Sequence, residues 1–494
     1  MTTPQSEDPS SLGSVDPLSA AKRYLPWVVA TALFMEQLDS TIVNTGIPAM
    51  SASLGVSPLS LKAVVTSYIL ALAVSIPVSG WLAERFGSKQ VFMSAVALFT
   101  LSSLLCGMAP SAPFLVAARI PQGIAAAMMM PVGRMALLHT FDKSELLKAM
   151  NFVIIPALLG PLLGPTVGGL IVHWLSWRDM FFVNLPVGVL LLFFAQKHMP
   201  NFQSKEPRPL DVKGLLLFGS GVGILSWLLE IFGAHGLSNS QALVWLVISL
   251  SLIGAYVIHA LRVPYPLLNL ALFKIRTFRV SVLGGFVTRL GVGGMPFLLP
   301  LLFQVGLGMP VWQSGLLMMP AALAAMGMKL LSQPMLKRWG YRSVLIVNTL
   351  MVAVTIASYS LVMPGSPLIL IVMLGMMMGL FNSLQFSSMN SMAYADVPED
   401  ESAMASTMAS TLQQMSMSFG LACGSLVTGY FLGDVPQTNG VAVTRAIHHA
   451  FWALAALTAF SSLTFWSLRP WDGSSVSGGP DEREADKASE HSSA

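Results

Sequence analysis

The 494-residue chain predicts an all-α polytopic membrane protein with 14 transmembrane helices, two six-helix bundles joined by a two-helix insert. Composition is the first ground for this. The chain is 54% hydrophobic and 10% charged, with a mean hydropathy of +0.69. A soluble chain of this length carries roughly a quarter charged residues and divides into several domains. The second ground is where the basic residues fall, and the third is an internal echo. Leu82–Phe92 and Met335–Leu345 repeat at an offset of 253, with Arg85 matching Arg338, Gly87 matching Gly340 and Lys89 matching Arg342. An aromatic residue precedes each glycine.

A span needs about 20 mainly apolar residues. Such runs lie at 25–48, 61–83, 90–109, 113–138, 146–172, 180–196, 212–232, 241–262, 279–305, 313–331, 343–363, 367–394, 402–431 and 444–468. An even number of runs puts both termini on one side. Most of the 27 Lys and Arg fall in segments that share the N-terminal side, among them Lys22, Arg85, Lys89, Lys143, Lys205, Arg276, Arg338 and Arg469. Basic loops stay cytoplasmic, so both termini are predicted inside. The exception is an acidic loop at 395–402, with Asp396, Glu399, Asp400 and Glu401. The first copy of the echo joins the second and third runs, and the other copy joins the tenth and eleventh. Two six-span bundles around a two-span insert reproduce that spacing, whereas seven plus seven would not. The predicted boundaries are therefore a cytoplasmic tail at 1–23, an N-terminal bundle at 24–196, and a linker with two extra spans and an interfacial strip at 197–278. A C-terminal bundle at 279–468 and a disordered tail at 469–494 complete the chain. Two related bundles in the membrane can move against one another around a shared site.

Several function classes drop out. No connection is long enough to fold as a soluble catalytic domain, so an enzyme is not expected. The polar start, Met1–Lys22, lacks the apolar segment of a cleaved signal. Cys106 and Cys423 lie far apart inside apolar runs and imply neither disulfide nor metal framework. No Walker-type phosphate loop points to ATP, and His448 and His449 stand isolated. The pI near 9.0 reflects the loops rather than nucleic-acid binding. Function therefore lies in the spans.

Glu36 and Asp39 stand mid-run, three residues apart on one helix face. Charges at bilayer depth are expensive and mark ion or substrate paths. The pair suits a carboxyl that binds and releases a proton, or an anchor that pairs with arginine and holds helices together. Asp39 is the better candidate, with Glu36 nearer the membrane face. Arg119 is always charged and needs a carboxylate, Glu36 or Asp39, either as an anchor or as a coupling switch. Arg134 is expected to reach the interface by snorkelling.

Gly160, Gly164 and Gly168, four apart, form a small-residue packing stripe, and Pro161 and Pro165 soften the same helix. The stripe can serve close packing or act as a hinge or seal between bundles. Arg289 lies near the position of Asp39 shifted by 253 and is expected to face the acids; Glu230 and Lys329 sit closer to run ends. Asn44, Gln122, Arg289, Asn382, Gln385, Asn390, Gln413 and Gln414 are candidates to line a substrate cavity, although such amides also glue helices. The 31 methionines are a slight pointer to an adaptable apolar binding surface.

At these residues the chain resembles the major facilitator superfamily, in particular its fourteen-span drug:proton antiporter branch (EmrB/QacA type, MdtD-like). The resembling segments are Leu38–Thr45, the loop motif Gly80–Gln90, Arg119–Gly123, Gly160–Gly169 and Trp177–Gly188. The resemblance implies proton-driven export of amphiphilic compounds, with Asp39 and Arg119 as coupling residues. Gly80, Glu84, Arg85, Gly87 and Lys89, with Arg338, Gly340 and Arg342, would belong to the conformational machinery, as would the span-five motif. The loop motif usually has Asp where this chain has Glu84, so a cap onto the next helix would need a longer reach. The expected partners are a small-molecule substrate, protons and the bilayer, with no nucleic acid and a monomeric protein. No cofactor is expected, the proton gradient supplying the energy. A bacterial inner-membrane location follows. A metabolite exporter or symporter, or a non-transporting sensor on the same scaffold, are the alternatives.

Overall fold

The structure, a computed structural model, describes residues 17–207, 209–232, 239–398, 401–437 and 439–473. Most of the expected tails, Glu399 and Asp400 of the acidic loop, and the Glu230 side chain lie outside the described residues. The helices are α1 (Pro17–Leu54), α2 (Lys62–Phe86), α3 (Ser88–Gly107), α4 (Ala112–Thr140), α5 (Lys143–Trp174), the single turn α6 (Asp179–Phe182) and α7 (Asn184–His198). They continue with α8 (Val212–Phe232), α9 (Asn239–Ala260), α10 (Arg276–Val292), α11 (Met295–Leu301), α12 (Val311–Ser358), α13 (Leu368–Ala393), α14 (Ser402–Leu432) and α15 (Gly440–Phe465). Among the described residues, 11 helical segments are long and apolar enough to cross a membrane. In lipid only internally hydrogen-bonded elements can span, and the fold is all-α as the runs predict.

The 11 count α12 once and include neither α1 nor α5. A straight helix of 48 residues would be about 72 Å long, roughly twice a bilayer core. Gly340 divides it, with φ 69° and ψ 159° inside otherwise helical backbone. Its counterpart Gly87 has φ 94° and separates α2 from α3. Both positions need a conformation that side chains with a Cβ rarely adopt. The echo read from residue types is thus also an echo in the backbone.

Packing follows the two halves. In the first, α1 lies against α5, and α4 lies between α2 and α3. In the second, α10 packs on α13, α14 and α15, and α12 on α13 and α15. The pair α8–α9 packs mainly on itself, and α8 also touches α2 and α14. On α9, Leu243, Val244, Val247 and Ile248 are exposed, the outward apolar face a lipid-facing helix presents.

The glycine stripe of α5 has a narrower role than a seal between bundles. A Cβ at Gly160, Gly164 or Gly168 would strike Gln37, Thr41 or Thr45 of α1, so the stripe seats two helices of the same half turn for turn. The neighbouring face of α5 reaches the other half, as α2 does through α14. There Pro165 and Thr166 meet Gly315, and Gly169 meets Val311 and Trp312. Thr166 Oγ1 donates to the Gly315 carbonyl at 3.3 Å. Spacing of four identified the tight helix pair but not which partner it would choose. Pro161 is half-buried, and α5 runs through it as one helix.

The halves are tied at the ends remote from the chain termini. Leu59 N–H donates to Gln437 Oε1 at 3.1 Å, and Gln304 Nε2 donates to the Thr45 carbonyl at 2.9 Å. Toward the terminus side Lys22 pairs with Glu145 at 2.7 Å and Arg276 with Asp472, each within one half, while α2 packs on α14 across the halves.

Candidate functional site

A carboxylate at mid-helix in α1 organises the first half. Asp39 has 0% exposure and accepts three side-chain hydrogen bonds. Arg119 Nη1 of α4 donates to Oδ2 at 2.5 Å. Gln122 Nε2, one turn further along α4, donates to Oδ1 at 3.0 Å, and Asn184 Nδ2 at the start of α7 donates to the same oxygen at 2.8 Å. Of the two acids considered for Arg119, the ion pair is made with Asp39. The i, i+3 spacing of Arg119 and Gln122 puts both on one helix face, so α4 presents a cation and an amide together.

Arg119 is itself fully buried and held from several helices. Its Nε donates to the Val64 carbonyl of α2 at 3.2 Å, its Nη1 to Gln122 Oε1 at 2.8 Å, and its guanidinium lies 4.1 Å from the Tyr68 ring centroid. Asn184 also donates to Ser103 Oγ of α3 at 2.9 Å, and Ser103 donates to the Phe181 carbonyl. Helices α1, α2, α3, α4 and α7 thus converge on one ion pair. Gly123 permits the α4–α2 approach, because a Cβ there would strike the Tyr68 carbonyl. A pair this dry is held by its partners, and removing one leaves an uncompensated charge.

Glu36 does not lie nearer the membrane face. It is 5% exposed, and its Oε2 finds no hydrogen-bond partner among the described residues. The Tyr68 hydroxyl and Arg119 Nη2 are likewise buried without a partner. Three unfilled polar positions beside a carboxylate–guanidinium pair are unusual in a packed interior.

Other expected cavity residues divide. Gln122 is fully buried and spent in the Asp39 network. Gln385 is 2% exposed, donates to Thr349 Oγ1 at 2.7 Å and accepts from Asn348 Nδ2 at 2.8 Å, so it glues α13 to α12. Asn44 is buried with its Oδ1 unpartnered. Asn382 is exposed, while Asn390, Gln413 and Gln414 are half-buried. Arg289 does not face the acids. Its guanidinium lies 5.3 Å from the Phe386 ring centroid, in a narrow recess with Asn390 and Gln413. The offset that aligns the sequences places Arg289 on α10, which packs with α13–α15 and not on the middle of α1. Lys329 and Arg134 are exposed, as expected of side chains that reach an interface.

The loop motif also departs from expectation at one position. Glu84 is exposed and does not cap α3. The linker at 199–204 does so instead: Asn201 Oδ1 accepts from Lys89 N–H at 3.1 Å, and the Phe202 carbonyl accepts from Ser88 N–H at 2.9 Å. Gly87 is required here twice over, by its φ and because a Cβ would strike Asn201. Lys89 Nζ donates to the Gln196 carbonyl at 2.5 Å. Arg85 and Arg338 are exposed, Arg342 is half-buried and Gly80 is open to its surroundings.

The chain's sequence matches the family described as Major Facilitator Superfamily over residues 29–421. The chain belongs to that superfamily. It is a multi-pass integral membrane protein of a transporter family, not of an enzyme family. It is 36% identical over 447 residues, 90% of this chain and 94% of the other, to a Serratia proteamaculans (strain 568) protein named "Putative multidrug resistance protein MdtD". A Pectobacterium carotovorum subsp. carotovorum (strain PC1) protein of the same name is 38% identical over 88% of this chain and 92% of its own. The crystal structure of a D-xylose-proton symporter superposes with a TM-score of 0.66 at 15% identity, covering 91% of this chain and 99% of that one. That likeness is one of fold.

Asn184 is the residue of this superfamily member's Asp39 network that sequence reasoning passed over. It lay within the Trp177–Gly188 segment, but nothing in spacing links it to a carboxylate 145 residues earlier. A polar amide at the first turn of an apolar run was the available signal. Gln304, which ties the halves at Thr45, was missed for the same reason.

Proposed function

We propose that this chain is a proton-coupled antiporter that exports amphiphilic, drug-like compounds by alternating access. Its fourteen crossings would comprise the apolar segments, α1, α5 and both parts of α12. Their grouping would be two six-helix bundles at 24–196 and 279–468 around the insert at 197–278. The observation that carries the reading is the fully buried Asp39 carboxylate, bonded to Arg119, Gln122 and Asn184. Names of relatives at 36–38% identity support the drug-like substrate class. The termini face the cytoplasm of a bacterial inner membrane, following the basic loops. Energy comes from the proton gradient, with no cofactor, and the working unit is the monomer.

In this mechanism the ion pair is the coupling element. When Asp39 takes up a proton it loses its charge, and Arg119 is left with the Val64 carbonyl, Gln122 and the Tyr68 and Phe181 rings. The five helices that meet at the pair then favour a different arrangement, because a buried guanidinium without its carboxylate is costly. The ties at Leu59–Gln437, Thr45–Gln304 and Thr166–Gly315 close the side remote from the termini. Exchange of substrate for proton follows from the two occupancies biasing one equilibrium in opposite directions.

The test is substrate-dependent proton flux in vesicles reconstituted with the purified chain, read with an internal pH dye. Addition of amphiphilic cations should release protons; no flux with any member of a cationic, neutral and anionic panel would reject the reading and favour a non-transporting role. Glu36→Gln is expected to weaken transport of cationic compounds several-fold and leave neutral ones unchanged, since only the former gain from a carboxylate. Equal losses for both classes would remove Glu36 as a cation contact.

A further inference from the structure

Arg289 is a second guanidinium in the interior of the protein, and it is not balanced as Arg119 is. It lies close to the centre of the apolar segment 276–306, and among the described residues no carboxylate pairs with it. Gly285, one turn earlier on α10, leaves the space into which the guanidinium folds, since a Cβ there would stand 2.6 Å from Nη1. The other side of the guanidinium faces Phe386, which is 39% exposed. The recess beside it is lined by Ser281, Met389, Asn390 and Gln413, contributed by α10, α13 and α14. The enclosed part of the recess holds about one water molecule, so a single anionic oxygen could enter it while the rest of a ligand stays at the mouth beside Phe386. Ser281 Oγ donates to the Met389 carbonyl and ties α10 to α13 at this point.

An arginine is charged at every relevant pH. At membrane depth such a charge is retained where it serves a pathway or meets a counter-charge. Among the described residues the protein supplies none here, but it supplies two amides, Asn390 and Gln413, that can donate beside the guanidinium. We propose that this recess binds the anionic end, carboxylate or phosphate, of an amphiphile whose apolar body lies along Phe386 and Met389. The assignment rests on the transport reading for its purpose, and adds that the substrate range includes anionic or zwitterionic compounds held from the C-terminal half. Glu36 would serve cationic compounds from the other half, so the two sites divide recognition by charge.

The experiment is equilibrium binding to the full chain in nanodiscs of phosphatidylcholine, without a proton gradient, using decanoate, decyltrimethylammonium and decanol, with empty discs subtracted. Arg289→Gln is expected to weaken decanoate binding about ten- to hundredfold, the range for loss of a charge-assisted contact, and to leave the cation and the alcohol unchanged. Arg289→Lys should keep part of the affinity, and Gln413→Leu should lose several-fold while Arg289 stays in place. Decanoate binding unaltered in Arg289→Gln, or equal loss of all three probes, would overturn the proposal. Repeating the titration with phosphatidylglycerol in the disc separates the two sources of the anion. Competition that disappears in Arg289→Gln would assign the recess to a lipid headgroup and overturn the substrate reading, whereas unchanged decanoate affinity supports it. Because no gradient is used, failure of proton coupling at Asp39 would leave this result standing.

Discussion

Replacing Asp39 with Asn is expected to reduce pH-gradient-driven transport to the level of protein-free vesicles. Asparagine has nearly the shape of aspartate and keeps an oxygen that can accept from Gln122 or Asn184. It has no proton to exchange in the working pH range. Arg119 retains the Val64 carbonyl, Gln122 Oε1 and the Tyr68 face, so the helices that meet there stay assembled, at a stability cost from the unpaired guanidinium. The variant should therefore still bind substrate at equilibrium while failing to couple it to protons. Both are measured on one preparation, binding in detergent and uptake in vesicles with an imposed pH step. Uptake at the wild-type rate would remove Asp39 from the coupling step.

Arg119→Leu is expected to be the most damaging single change to stability in the first half, at about 3–5 kcal/mol, the range for breaking one side of a buried pair. Asp39 would keep two amide donors and lose the cation bonded to it, in a place with 0% exposure. The readout is the melting temperature in detergent, together with the fraction that elutes as a single species. The double variant Asp39→Asn/Arg119→Leu should recover most of the loss, because two neutral groups of similar size no longer leave a charge stranded. A double variant as unstable as Arg119→Leu alone would show that the arginine acts through packing on Tyr68 and Phe181, not through charge.

Much of this was legible in the chain. Apolar runs of membrane length, a scarcity of charge and basic loops on alternate connections fix a polytopic helical protein, because lipid admits few other backbones. The echo around Gly87 and Gly340 was legible for a similar reason. A glycine demanded by positive φ leaves its mark in sequence wherever the turn recurs. Asp39 and Arg119 stood out because charges inside such runs are rare.

What the residues could not say is who meets whom. Asp39 finds Asn184 and Gln122 through helix packing, Gln385 finds Asn348, and the α3 terminus finds Asn201 in place of Glu84. Arg289, expected opposite the acids, stays within its own half. Sequence alone determined that the chain is a polytopic helical membrane protein and which charged side chains are too costly to be idle in its apolar segments, since both follow from local transfer free energies. Only the tertiary structure decided the pairings, because a contact between distant helices depends on rotation and approach that a one-dimensional pattern does not carry.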